Sequence, residues 1–443
     1  MSEKSMTAEE TRPWPSPPIA WYGVAVLFLA YVFAFIDRQI LSLMVEAIKA
    51  DLELSDTQIS VLHGLAFVVF YALVGIPIGR LVDRRRRTTI VGVGIAFWSF
   101  MTALCGLARG FGSLFAARVG VGIGEAALTP SAYSLIADYF APEKRGRALA
   151  VYSVGITAGG GLALILGGKL FDYFDATGPL DMGLFGVLSA WQLTFIAVGL
   201  PGLLVAVLAL TMREPARRGT LRDPSEPVMS LKQAITYVWD RKRAYLPLFV
   251  GLGLLSMVSY SFIWLPSFFI REFGWTPGQY GLWVGWIVII FGSLGILAGG
   301  VASDKLTARG RMDAPLLVLI AFGAVSIVFA VATPLMPGPY LSLAAYAVAT
   351  FFLMAPFGLA PTAIQILTPN ELRGQVSALY LLVMNLLGLG LGPIVVAVLT
   401  DTVFRDETLL GLSIAVACAV LGPLSILTLL YTRKPFMDAI GRS

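Results

Sequence analysis

Runs of about twenty apolar residues recur along nearly the whole chain, and that pattern leaves few folds open. In lipid only helices and closed barrels satisfy every backbone polar group, and a helix crosses the roughly 30 Å hydrocarbon core in about 20 residues. Windows of that length place spans near 21–48, 58–80, 89–108, 113–138, 147–170 and 189–212, then near 245–271, 280–303, 314–334, 339–367, 374–399 and 409–432. The 443 residues are 57% hydrophobic and only 13% charged, with a mean hydropathy of +0.80, which excludes an ordinary soluble domain. The expected fold is an all-α membrane protein of twelve transmembrane helices.

The one long polar stretch divides these spans into two sets of six. Residues 1–20 read as a disordered tail, 21–212 as a first six-helix bundle, 213–244 as a linker with room for a short surface helix, 245–432 as a second bundle, and 433–443 as a tail. The polar, proline-rich start gives no cleavable signal. Of the 32 lysines and arginines, roughly 25 fall on the side that carries both termini and the linker, against roughly five opposite. Both termini are therefore expected in the cytoplasm, with the protein in the cell's inner membrane. The net charge of +5 follows from this asymmetry and does not call for nucleic acid. Cys105 and Cys418 fall inside apolar spans, where free cysteine acts as a small hydrophobe, so neither a disulfide nor a metal site is expected.

Four ionisable residues sit at bilayer depth: Asp37 and Arg38 in span one, Arg118 and Glu125 in span four. A charge there costs roughly 2.5 to 3.5 kcal/mol on insertion scales, so such residues face a cavity and carry function. Arg118 and Glu125 are two helical turns apart on one face, roughly 10 Å along the axis. Spans one and four run in opposite directions, which permits a crossed arrangement of Asp37 with Arg118 and Arg38 with Glu125. A static network pinning the two helices is one reading. Proton coupling is the other, because drying favours a protonated carboxyl while a nearby guanidinium favours the charged form, and a cavity that opens and closes alters that balance. Glu125 is then the first proton-binding candidate and Asp37 the second. Arg38 and Arg118 would tune them or hold an anionic substrate group.

The second half offers softer candidates for a substrate cavity: Tyr260 and Trp264 in span seven, Phe351, Phe352 and Met354 in span ten, and Asn385 in span eleven. His63, the only histidine, lies early in span two, where an interfacial structural role is expected ahead of a proton relay. No nucleophile, base and orienting group occur in readable form, so enzyme function has no support. No cofactor is expected beyond protons as the coupling ion.

Two matches betray an internal repeat. Gly79, Asp83 and the arginines from Arg84 onward follow span two, and Gly300, Asp304 and Lys305 follow span eight; Arg145 to Tyr152 opens span five, and Arg373 to Tyr380 opens span eleven. The loop after span two resembles the signature loop of the major facilitator superfamily. That resemblance, which covers essentially the whole chain, implies two pseudo-symmetric six-helix bundles around a cavity that opens alternately to each side. A cytoplasmic gate is expected, with Asp83 docking at the helix start near Arg373 and Asp304 doing so at Arg145. The glycines of span five, Gly155 and Gly159 to Gly161, resemble an exporter motif without its proline.

Within the superfamily, Phe35 to Arg38, Gly75 to Arg84, Arg118 to Glu125 and Ser134 to Phe140 resemble the Spinster family of lipid transporters. The resemblance implies proton-coupled movement, as an exporter, of an amphipathic lipid of the sphingosine 1-phosphate or lysophospholipid kind. A bacterial source and a monomer surrounded by membrane lipids are expected. The run Arg84 to Arg87 is more basic than the family pattern requires. Organic-anion and sugar-acid symporters share the Asp-Arg pair of span one and the spacing in span four, and form the alternative, ahead of a non-transporting sensor.

Overall fold

The structure, a computed structural model, describes residues 14–217, 231–369 and 372–441. Apart from a two-strand ribbon, Leu180–Asp181 paired with Val187–Leu188, it is helical. Among the described residues twelve helices are long and apolar enough to cross a membrane. Spans one to six are Pro17–Leu43, Asp56–Gly75, Arg87–Cys105, Phe111–Tyr139, Glu143–Thr177 and Ala190–Thr211. Spans seven to twelve are Lys242–Phe273, Pro277–Ala308, Ala314–Leu335, Pro339–Leu367, Arg373–Phe404 and Glu407–Ile440.

Local chemistry explains where these helices start. Ser55 and Thr276 each accept from the backbone amide three residues on, while Gln58 and Gln279 return a bond to the capping amide. These reciprocal caps open spans two and eight, the first spans to run back from the face opposite the termini in each half. Two ends differ from expectation. Helix already begins at Pro17, inside the segment read as tail, and span twelve continues to Ile440 because Arg433, Lys434 and Pro435 dilute its hydropathy without stopping it. The linker carries the helix Leu231–Asp240; residues 1–13 and 218–230 lie outside the described residues.

Packing sets the shape. On the half that carries the termini, each bundle has its own core: one is built around Trp98, Leu135 and Ala206, the other around Leu248, Leu319 and Tyr380. On the opposite half there is one shared core, in which Ile40, Leu62 and Phe195 join Leu265, Phe269 and Ile414. Glycines permit the close crossings there. A Cβ on Gly161 would stand 2.4 Å from the Gly285 carbonyl, and one on Gly64 would stand 2.3 Å from that of Leu389, so spans five and eight, and two and eleven, touch backbone to backbone. Gly79, Gly146, Gly300 and Gly374, on the terminus-bearing half, face open space. The bundles thus meet at one face and part toward the other.

Candidate functional site

Span four breaks at Glu125. Its first helix runs Phe111–Glu125 and its second begins at Leu128, because Pro130 has no N–H to offer the Ala126 carbonyl. At that break Arg38 places Nε and Nη2 each 2.6 Å from Glu125 Oε2. The glutamate side chain is fully buried, whereas that of Arg38 keeps 22% of its surface open, so the pair straddles the wall of the cleft. The Arg38 guanidinium also lies over aromatic rings, 4.7 Å from the centroid of Phe67, 5.3 Å from Phe35 and 5.4 Å from Tyr71. Arg118 stands 5.9 Å from Phe67, which therefore lies between two guanidiniums.

Asp37 and Arg118 meet differently from the crossed expectation. Arg118 Nη1 donates to the backbone carbonyl of Asp37 at 2.9 Å, and the Asp37 carboxylate takes no part in that bond. Three buried atoms, Asp37 Oδ1, Glu125 Oε1 and Arg118 Nε, have no hydrogen-bond partner among the described residues. Each is a lone pair or proton with no protein group to meet it, an arrangement that structural pins avoid. His63 is buried rather than interfacial, and its Nδ1 is likewise unpartnered.

Beside Arg38, a cavity of about 120 Å³ is lined by both bundles. Phe35, Gln39, Ser42 and Thr157 come from the first; Tyr260, Phe262, Tyr346, Thr350, Met354 and Phe357 come from the second. Of the second-half candidates, Tyr260 and Met354 line this cavity. Trp264 does not: it is buried, donates its indole N–H to the Pro393 carbonyl at 3.0 Å, and packs on Arg271. Phe351 and Phe352 turn toward Phe322 of span nine, with centroids 6.3 and 4.9 Å away. Asn385 bonds the Leu381 carbonyl on its own helix, at the start of a π-helical turn over Leu386–Leu391. Gln39, Ser42, Thr157 and Tyr346 went unnoticed because single hydroxyl, amide or phenol groups carry no hydropathy signal.

The profile of the Major Facilitator Superfamily matches residues 27–393. The chain belongs to the major facilitator superfamily. It is 32% identical to an MFS-type efflux pump of Mycolicibacterium smegmatis, over 88% of this chain and 86% of that one. It is 26% identical to a probable L-galactonate transporter of Escherichia coli, over 65% of this chain and 62% of that one. A crystal structure of a bacterial homologue of the human lysosomal transporter Spinster, inward-facing and unoccupied, superposes with a TM-score of 0.75 at 27% identity, covering 96% of this chain and 97% of that one. Superfamily membership and likeness to Spinster homologues make the chain a transporter, not an enzyme, with the expected twelve spans in two six-helix bundles.

A transporter of this superfamily needs gates, and here the closed one lies on the face opposite the termini. Arg271 of span seven donates to Glu46, beyond span one, and to Asp56, which opens span two, at 2.9 to 3.1 Å. Lys49 pairs with Asp56 and, at 2.9 Å, with Glu407 of the second bundle. Asp401 accepts from the amide and hydroxyl of Thr57 at 2.8 and 2.7 Å, and Asp172 from Thr276 and the Gly278 amide at 2.7 and 3.1 Å. Sequence reading missed this set because its members sit in short helices or near helix ends beside the turns, where charge looks like ordinary loop polarity.

The gate expected on the terminus-bearing face is not engaged. Asp304 is exposed with no ion pair among the described residues, Arg145 donates to Ala137 of its own bundle at 2.8 Å, and Arg373 to Gln365 and Thr368 of its own at 3.1 and 3.0 Å. Gly79 faces open space and Arg84 is exposed; the side chain of Asp83 lies outside the described residues. The separation of the bundles on this face is the physical reason. One arginine of the run, Arg87, is fully buried. It bonds Asp138, Glu214 at 2.7 Å, Ser134, and the Pro215 carbonyl, tying spans three, four and six together.

Proposed function

We propose that the chain is a proton-coupled secondary transporter that exports an amphipathic lipid, of the sphingosine 1-phosphate or lysophospholipid kind, across the cell's inner membrane. The observation that carries this reading is a lopsided site: a partly open Arg38, bonded to a buried Glu125 and lying over Phe35, beside a cavity that Phe35 lines and whose far wall is Tyr260, Phe262, Tyr346 and Met354. A charged headgroup suits the Arg38 side and a hydrocarbon tail the far wall. With both termini in the cytoplasm, the open cleft faces inward, in keeping with the inward-facing Spinster homologue.

Coupling follows from the spare oxygen. Arg38 engages only Oε2 of Glu125, which leaves Oε1 to carry a proton without breaking the pair. In an exporter driven by protons entering the cell, lipid and proton must exclude each other: a zwitterionic headgroup with its phosphate on Arg38 and its amine on Glu125 would keep that carboxylate unprotonated, and a proton reaching Glu125 from the opposite side would release it. Headgroup and proton thus bias the same two residues, with Asp37 and Arg118 behind them. A sugar-acid symporter is the second reading, favoured by the likeness to the L-galactonate transporter and by the open edge of Arg38. The largely aromatic far wall, with no charged group, weighs against it.

The test is flux in proteoliposomes with labelled lysophospholipid and labelled sugar acid, each with and without a pH gradient. Lysolipid movement that responds to the gradient in the wild type and ceases to respond in Glu125→Gln is the expected result. Sugar-acid movement alone would replace the lipid reading, and an unchanged gradient response in Glu125→Gln would remove that residue from coupling.

A further inference from the structure

Away from the transport cleft, a groove of about 560 Å³ runs between the end of span two and the start of span three. Its walls are exposed apolar side chains, chiefly Leu81, Val93 and Phe97. Its floor is Ile123, Gly124 and Ala127, the back of the turn of span four that carries Glu125. Gly124 lies so close to Trp98 and Gly94 that any side chain there would collide with span three.

At the terminus-bearing end the groove is rimmed by Arg85 and Arg86. Their neighbour Arg87 is saturated by Asp138 and Glu214, yet both rim arginines are exposed and their guanidiniums make no ion pair or hydrogen bond among the described residues. The turn that presents them is held in place, because Arg217 Nη2 donates to the carbonyls of Val82 and Arg85 at 2.6 and 2.9 Å. From Arg86 to Phe97 the helix rises roughly 16 Å, about the depth of one leaflet of a bilayer with a 30 Å core. A concave apolar track of one leaflet's depth, ending in two uncompensated cations at headgroup level, matches the two parts of one kind of molecule.

We infer that this groove binds an anionic glycerophospholipid of the terminus-side leaflet, with an acyl chain along Val93 and Phe97 and its phosphate between Arg85 and Arg86. This gives the surplus basic run after span two a ligand of its own. It also sets a membrane lipid against the back of the Glu125 turn.

The experiment is native mass spectrometry of the purified full-length protein, titrated with phosphatidylglycerol or with phosphatidylcholine of the same acyl chains. The wild type should hold one phosphatidylglycerol under conditions that strip phosphatidylcholine. The double variant Arg85→Gln/Arg86→Gln should hold it roughly tenfold or more weakly, the scale set by two basic side chains at an anionic surface. Val93→Trp, which fills the track and spares both arginines, should lose it as well; Leu81→Trp on the facing helix serves the same purpose if the first variant misfolds. Lys305→Gln/Arg309→Gln removes two exposed cations at the corresponding turn of the second bundle and should leave retention unchanged. Equal retention of the two lipids, no effect of the Arg85/Arg86 change, or an equal loss on changing Lys305 and Arg309 would each overturn the site.

Discussion

The residue that most rewards scrutiny outside the cleft is Arg87, whose guanidinium has no exposed surface and meets two carboxylates. Removing one partner of such a network leaves the others buried without compensation, at a cost of about 3–5 kcal/mol. Arg87→Ala should therefore lower the melting temperature in detergent far more than Arg84→Ala, whose side chain is exposed. Glu214 supplies a pH test. Burial pushes its carboxyl up, but the Thr88 amide and the Arg87 guanidinium outweigh that and hold it below the usual range. A carboxyl depressed in the folded state adds stability that is complete above its unfolded value, about 4.3, and is lost as pH falls through the folded one. Acidification below about pH 4 should thus destabilise the wild type more than Glu214→Gln. The Arg38 and Glu125 pair was legible from sequence because charges are scarce at bilayer depth and helix arithmetic fixes their heights. The facing of Trp264, Phe351 and Phe352 was not, since an apolar helix in lipid has no polar side to fix its rotation.

Among the elements, span five shows how finely spacing is set. Gly160 and Gly161 are neighbours, yet a Cβ on the first would find its nearest contact at 3.7 Å, on Val288, whereas one on the second would meet the Gly285 carbonyl at 2.4 Å. Gly160→Ala should transport like the wild type. Gly161→Ala should force spans five and eight apart and depress flux severalfold or more, measured side by side in the same proteoliposomes. The π-helical turns Val288–Gly292 and Leu386–Leu391 fall in the two second-bundle helices that make these close crossings, where a locally wider helix can take up a change of pitch. Sequence placed every span, because twenty apolar residues have one economical outcome in a bilayer. It could not place the π turns, which come from crowding between helices rather than from any local preference.

At the scale of the molecule, the fold reads as two rigid halves that share one face. Arg271 ties the bundles together on that face, since it reaches Glu46 and Asp56 of the first bundle while Glu407 of its own bundle stands 3.7 Å away. Arg271→Gln should weaken the closed face and raise the share of molecules open on the side away from the termini. Spin labels placed across the terminus-bearing mouth would report this as a gain in the short-distance population; an unchanged distribution would show that the shared apolar core alone sets the balance. The division into two bundles was visible in the sequence as a duplicated loop and a polar linker. Which mouth is open was not, because an alternating machine has one sequence and at least two shapes.

That shared core bears on how the protein is put together. Each half buries its own hydrophobic cluster near the termini, but Ile40 and Leu62 on one side and Leu265 and Phe269 on the other are covered only when both halves are present. Matching surfaces of that kind do the work of a covalent tether. The gene should therefore tolerate being cut between the codons for residues 217 and 231: two separately translated fragments, made in the same cell, should find each other in the membrane, co-purify and catalyse flux together, while either fragment made alone should be lost to proteolysis.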